Sequence, residues 1–302
     1  MTVDRQVVAV DVGGTGIKAA LVGRDLTATH AVRVPTRRID GSVDVTQIAE
    51  LVGLLAEKAA GGVGGVGVAV PGIVDDATGV VVTAVNLGWA NLDLRSQLAE
   101  RTGLPLLVRH DVRAGGLAEF TVGAAAGAAN ALFVPIGTGI AAAARIDGHL
   151  LSAGGYLGEI GHVVVDTDGA LCTCGQRGCL ETIAAAPAVA RRYRDRGGES
   201  VRDAAEVVER VALGDPIAIA VWDEACGALA DALVTAVTLF GSELVVIGGG
   251  LAEAGDTLVR PVRSLLLRRL TFHRRPRVVR ASLGQDAGRV GAAILGWEAA
   301  DG

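Results

Sequence analysis

The sequence predicts an α/β protein of two closely joined domains, and three observations carry that prediction. Glycine makes up 43 of 302 residues and half the chain is hydrophobic, yet aromatics reach only 3%, a composition suited to short buried strands joined by tight turns. A pattern of apolar run, Gly/Thr turn and second apolar run occurs twice, at 6–22 and at 131–150. The length allows each half its own core, and no Pro/Ser-rich linker or low-complexity stretch separates them.

Residues 6–10, QVVAV, read as a buried strand that ends at Asp11. The turn that follows leaves the N–H groups of Gly13, Gly14 and Gly16 unobstructed, while Thr15 adds a hydroxyl and Lys18 a positive charge. Such a turn can cradle phosphate, or it can simply close a hairpin. Asp11 is placed to hold a hydrated Mg²⁺. A helix is expected around 44–60, then a strand that ends at Pro71-Gly72. Asn86 and Asp111 close apolar runs, from which side chains project into an α/β cleft. Asp111 also precedes a helical segment, VRAGGLAEF, so a helix N-cap is the plain alternative.

In the second half ALFVPI (131–136) leads into GTGIAAAARIDGHL, where Gly137, Thr138 and Gly139 repeat the phosphate turn. The duplication implies that the two halves each offer a Gly/Thr turn to one polyphosphate chain. A third cluster, Gly248, Gly249 and Gly250, follows LVVI and opens an expected helix, where backbone can approach a nucleotide's adenosine portion closely. Its spacing matches neither a P-loop nor a dinucleotide fingerprint. Residues 182–240 read as helices with solvated charged faces, and Cys226 within them as a core thiol. The basic run 267–280 is ordinary surface or an anion-binding rim, and GRVGAAILGWEAA is an amphipathic helix expected to close over the first domain.

The densest chemistry lies in Gly158–Glu181, GEIGHVVVDTDGALCTCGQRGCLE. His162, Cys172, Cys174 and Cys179 supply four nitrogen and sulfur donors, and Gly175 and Gly178 supply turns that pull the cysteines together. A structural Zn²⁺ is the expected occupant, with buried free thiols as the alternative. Glu159 and Glu181 frame the ligands.

The net charge of −5 and pI of 5.6 give no general attraction to nucleic acid or anionic membranes, and the scarcity of aromatics argues against base stacking. Charges within the first five residues exclude a signal peptide, and no apolar stretch is long enough to span a bilayer. A cytoplasmic protein with thiolate ligands is the expectation.

Taken together, DVGGTGIK, PIGTGI, VVIGGGLAEAG and GEIGH followed by CTCGQRGCLE resemble the ROK family of sugar kinases over nearly the whole length. The resemblance implies a two-domain, actin-like (ribonuclease H-like) ATPase fold with a zinc knuckle. It implies residues 1–118 plus the helix 287–302 as a smaller domain, and 119–286 as a larger one with the knuckle and the adenosine site. It also implies ATP and Mg²⁺ as cofactors, a hexose as substrate, and a homodimer. Asp111 matches the catalytic base, and Asn86, Glu159, His162 and Glu181 match residues that bind sugar hydroxyls.

The family's usual Asn-Asp is His110-Asp111 here. His110 joins the expected sugar contacts, and the change leaves open glucose itself or an amino sugar such as kanosamine or N-acetylmannosamine. A sugar-responsive repressor is not expected, since the first phosphate strand begins at about residue 6, ahead of which a helix-turn-helix domain has no room. A non-catalytic sugar-binding module is disfavoured by Asp111 and both glycine turns.

Overall fold

The computed structural model describes residues 5–302; residues 1–4, on which the reading of the leader partly rests, lie outside them. The chain opens with strands β1 (Gln6–Val12), β2 (Gly16–Val22) and β3 (Ala28–Pro35), then a ribbon of β4 (Arg38–Ile39) and β5 (Ser42–Val43) and helix α1 (Val45–Ala56). Next come β6 (Val63–Val70), β7 (Ile73–Asp75), β8 (Val80–Ala84), β9 (Trp89–Asp93), α2 (Leu94–Thr102), β10 (Leu106–His110) and α3 (Asp111–Thr121). The second half runs β11 (Ala131–Pro135), β12 (Ala143–Ile146), β13 (His149–Leu150), α4 (Glu181–Ala184), α5 (Ala186–Asp195), α6 (Ala204–Ala212) and α7 (Pro216–Phe240). It finishes with β14 (Leu244–Gly248), α8 (Asp256–Arg269), β15 (Arg277–Arg280) and α9 (Ala287–Asp301).

Two compact units emerge: Met1–Ala118 with Ser152–Leu157 and Asp286–Gly302, and Glu119–Leu151 with Gly158–Gln285. The first contains a five-stranded sheet of order β10-β6-β1-β2-β3, the second one of order β13-β12-β11-β14-β15. Both have the same plan. An antiparallel meander of three strands carries two parallel strands on the edge of its first strand. The repeated strand–turn–strand pattern thus marks a duplicated sheet.

Side-chain alternation explains the layers of the first unit. Along β1, Val8, Val10 and Val12 join a core with Ile48, Val52 and Leu55 of α1, while Val7 and Ala9 join another with Ala292, Ala293 and Leu295 of α9. The helix α9 lies so close that a Cβ on Gly67 of β6 would sit 1.8 Å from the Ala292 carbonyl oxygen, so only glycine fits there. Asp44 caps α1 by accepting the Thr46 N–H at 2.8 Å, and Asp215 caps α7 through Ile217 and Ala218.

One detail differs from the sequence expectation. Gly248–Gly250 does not start a long helix: β14 runs through Gly248, a short 3₁₀ turn covers Gly250–Ala254, and α8 begins only after Gly255 (φ 58°), which reverses the backbone. In the basic run Arg269, Arg274 and Arg280 pair with Asp231, Glu243 and Glu253, which favours the ordinary-surface reading. Cys226 is fully buried, and desolvation pushes its thiol up to about 12, as a core thiol requires.

Candidate active site

In the first unit the β1–β2 turn is tied down from several sides. Gly13 donates its N–H to Gly16 at 2.9 Å, and the Thr36 hydroxyl donates to the Gly13 carbonyl at 2.8 Å. Arg38 Nη2 donates to the carbonyls of Gly14 (3.1 Å) and Asn86 (2.6 Å), which brings Asn86 beside the turn. Asp11 ends up paired with Lys18 of β2 at 3.8 Å. Burial raises the Asp11 carboxyl above its ordinary range, the negative charge of Asp111 adds to this, and Lys18 opposes it. Two carboxylates that repel each other in a half-buried place beside a phosphate-type turn suit a divalent cation such as Mg²⁺.

Asp111 is the first residue of α3. Its Oδ1 accepts the Val112 N–H at 2.7 Å and lies 3.1 Å from His110 Nε2, leaving Oδ2 for other partners. The bond to the adjacent residue is not the usual capping bond to the second or third N–H of a helix, so capping alone does not account for this carboxylate.

In the second unit Gly137 donates to Gly139 at 2.9 Å, closing the β11–β12 turn, and Ile136 donates to Gly248 at 2.9 Å, which sets the third glycine cluster next to it. Beside Gly250 and Leu251 lies a cavity of ≈ 410 Å³, also lined by Ala186, Asp203 and Glu209. Backbone bonds stitch the Gly158–His162 loop to the same turn: Ala142 N–H to Gly158 at 2.7 Å and Gly161 N–H to Ile140 at 3.1 Å. The Ile140 N–H also donates to Glu181 Oε2 at 3.1 Å. Glu159, His162, Glu181 and the Thr138 turn therefore belong to one connected piece of backbone.

The ligand atoms of His162, Cys172, Cys174 and Cys179 all lie within 4.8 Å of one another. Cys174 Sγ to Cys179 Sγ is 3.6 Å and Cys172 Sγ to His162 Nδ1 is 3.7 Å. Tetrahedral Zn²⁺ with bonds of about 2.3 Å to sulfur needs edges of about 3.8 Å, so the set fits. Burial, with the neighbouring thiols, pushes Cys179 up to about 12, a penalty that a cation amid the four atoms removes. Gly175 (φ 94°) and Gly178 (φ 70°) make the expected turns. With Nδ1 turned to the thiols, His162 keeps Nε2 for another partner.

Sequence reasoning missed three groups. Arg38, which joins Asn86 to the first turn, gave no signal beyond its charge. Glu119, fully buried, accepts the N–H groups of Ala124 (2.7 Å) and Leu283 (2.8 Å), joining the end of α3 to the segment before α9. Arg113 is 1% exposed; a charge set amid the small and apolar residues of VRAGGLA was the available signal.

A duplicated sheet with a Gly/Thr turn at the first hairpin of each copy defines an actin-like ATPase fold. The ROK family model matches residues 7–299, and the chain belongs to the ROK family. It is 34% identical to the glucokinase of Halalkalibacterium halodurans, over 97% of this chain and 94% of that one. Among solved structures it resembles the ROK hexokinase of Thermus thermophilus (31% identity, TM-score 0.81, 98% of this chain and 100% of that one). It also resembles a ROK glucokinase of Streptomyces griseus in complex with glucose and AMPPNP (28% identity, TM-score 0.80, 97% and 99%).

Proposed function

We propose that the chain is an ATP-dependent sugar kinase that transfers the γ-phosphoryl group of ATP to the 6-hydroxyl of glucose or a close analogue. The observation that carries this reading is the likeness to glucokinases over nearly the full length of both chains. In this reading Asp111 Oδ2 accepts the proton of the 6-hydroxyl as that oxygen bonds to the γ-phosphorus, and the bond from the γ-phosphorus to the bridging oxygen breaks to release ADP. The N–H groups and hydroxyls of Gly13, Gly14, Thr15, Gly137, Thr138 and Gly139 hold phosphate oxygens, and Lys18 adds positive charge. Gly248, Gly249 and Gly250 border the adenosine. Mg²⁺ held near Asp11 would neutralise charge on the phosphates.

Asn86, Glu159, His162 and Glu181 bind sugar hydroxyls. Zn²⁺ on His162, Cys172, Cys174 and Cys179 would have a closed coordination shell and so would fix backbone rather than activate water. His110 stands beside the base and lines the sugar's edge, which also supports a second reading, a 6-kinase for an amino sugar such as kanosamine or N-acetylmannosamine. Among the described residues no helix is long and apolar enough to cross a membrane. A cytoplasmic homodimer without nucleic-acid or membrane partners completes the proposal, resting on the family resemblance and the acidic charge.

The test is an ADP-release assay with ATP and a panel of glucose, mannose, N-acetylmannosamine, N-acetylglucosamine and 3-amino-3-deoxyglucose. Sugar-dependent turnover of at least one hexose is expected; a panel with none rejects the kinase reading.

A further inference from the structure

Arg113 lies two residues beyond Asp111 on α3, and every arm of its guanidinium is engaged. Nε donates to Asp76 Oδ2 at 3.0 Å, and Nη2 to Asp76 Oδ1 at 2.9 Å and to the Val74 carbonyl at 2.7 Å. Nη1 donates to the Gly155 carbonyl at 3.2 Å. Asp76 also lies 3.4 Å from Arg109 Nε on β10. A charge this deeply buried is costly, and replacing such a pair by apolar side chains is often neutral or stabilising. Stability alone is therefore a poor reason for it, whereas a planar fork with four bonds fixes direction closely.

What the fork fixes is unusual. Ser152–Leu157 belongs to the first unit although the chain on either side of it belongs to the second. A Cβ on Gly155 would lie 2.3 Å from the Val74 carbonyl oxygen, so the segment runs against the β7 backbone itself. Three successive residues, Ala153 (φ 48°), Gly154 (φ 64°) and Gly155 (φ 96°), have left-handed backbone, which for alanine persists only where the surroundings impose it. Gly158 and Glu159 follow directly on the end of the segment at Leu157.

We propose that Arg113 is a positioning residue for phosphoryl transfer. Its guanidinium ties the helical turn bearing Asp111 to the Asp76 corner and to the 152–157 segment, and so sets the point from which the chain runs into Glu159 and His162. The inference rests on the reading of Asp111 as the base and of Glu159 and His162 as sugar ligands. Loss of the fork would loosen sugar binding and alignment and leave ATP binding alone.

Arg113→Lys, Arg113→Gln and Asp76→Asn, each checked for a cooperative melt, would be compared with wild type by steady-state kinetics and by hydrogen exchange over 152–162. The expected result is faster exchange there, a KM for the sugar raised about tenfold and a kcat lowered up to about 10²-fold, with the KM for ATP within about twofold of wild type. Variants that fold and keep both the wild-type sugar KM and the wild-type exchange overturn the proposal, as does a KM for ATP that rises in step with that for the sugar. If the Arg113 variants do not fold, Asp76→Asn, which leaves the bonds to Val74 and Gly155 in place, decides by the same criteria. An inactive wild type would reject the kinase reading instead, and exchange over 152–162 would then decide alone whether Arg113 holds the segment.

Discussion

The imidazole Nε2 of His110 lies 3.1 Å from Asp111 Oδ1, the oxygen that also accepts the Val112 N–H at 2.7 Å. One carboxylate oxygen is thus held in place by two neighbours, and the other is available to a substrate hydroxyl. Asp111→Ala should lower kcat by about 10²–10⁴-fold with ATP affinity little changed. Near-normal turnover in the ADP-release assay would remove Asp111 from the role of base.

His110→Asn restores the family's usual pair and replaces a ring by a shorter amide. We expect it to reorder the sugar panel, because the group proposed to face the sugar's edge changes in size and in its donor atoms. An unchanged ranking with a uniformly lower kcat would limit His110 to orienting Asp111.

Purified protein should contain about one equivalent of zinc, since the four ligand atoms match one tetrahedral site. Cys172→Ser should lose the metal, melt at a lower temperature and bind sugar poorly. Less than half an equivalent in wild type, together with a fully active Cys172→Ser, would dismiss the knuckle as a metal site.

Glu181 Oε2 accepts the Ile140 N–H beside the second glycine turn. Because the same carboxylate is proposed to hold a sugar hydroxyl, Glu181→Ala should weaken both substrates, with KM for sugar and for ATP each rising about tenfold or more. A rise confined to the sugar would show that the turn keeps its shape without Glu181.

Asp215 couples stability to pH. The Tyr193 hydroxyl, and after it the N–H groups of Ala218 and Ile217, hold its carboxyl below the ordinary range against the opposing effect of burial. A depressed folded pKa stabilises above the unfolded value of about 3.9 and is lost as pH falls through the folded value. Asp215→Ala should therefore lower the melting temperature at neutral pH, and the gap to wild type should shrink below about pH 4. A gap that is constant with pH would mean that the capping charge contributes nothing.

The parts legible in the sequence were those with local signatures. Val7–Val10 and Leu244–Ile247 announce buried strands, Gly13–Gly16 and Gly137–Gly139 announce turns, and Cys172–Cys179 gathers three of the four candidate metal donors within eight residues. The rest depends on partners far apart in the chain. Nothing near Arg113 in sequence points to Asp76 or Gly155, and nothing near Glu119 points to Leu283, because a buried charge is explained only by the groups that surround it. Gly248–Gly250 was misread for a related reason: the positive φ that delays α8 is a property of Gly255, five residues beyond the end of Gly250's own signal.

The helix α9 covers β6 and β1 through contacts as close as Ala292 to Gly67, yet it is translated after nearly all of both units. Until residues 287–301 leave the ribosome, Val7, Ala9 and Ala69 lack the cover that Ala292, Ala293 and Leu295 give that face. The nascent first unit would thus wait, apolar surface exposed, for the whole second unit to be synthesised. Its folding should depend on chaperone supply and on translation speed more strongly than that of the second unit, whose sheet is assembled from one nearly uninterrupted stretch of chain.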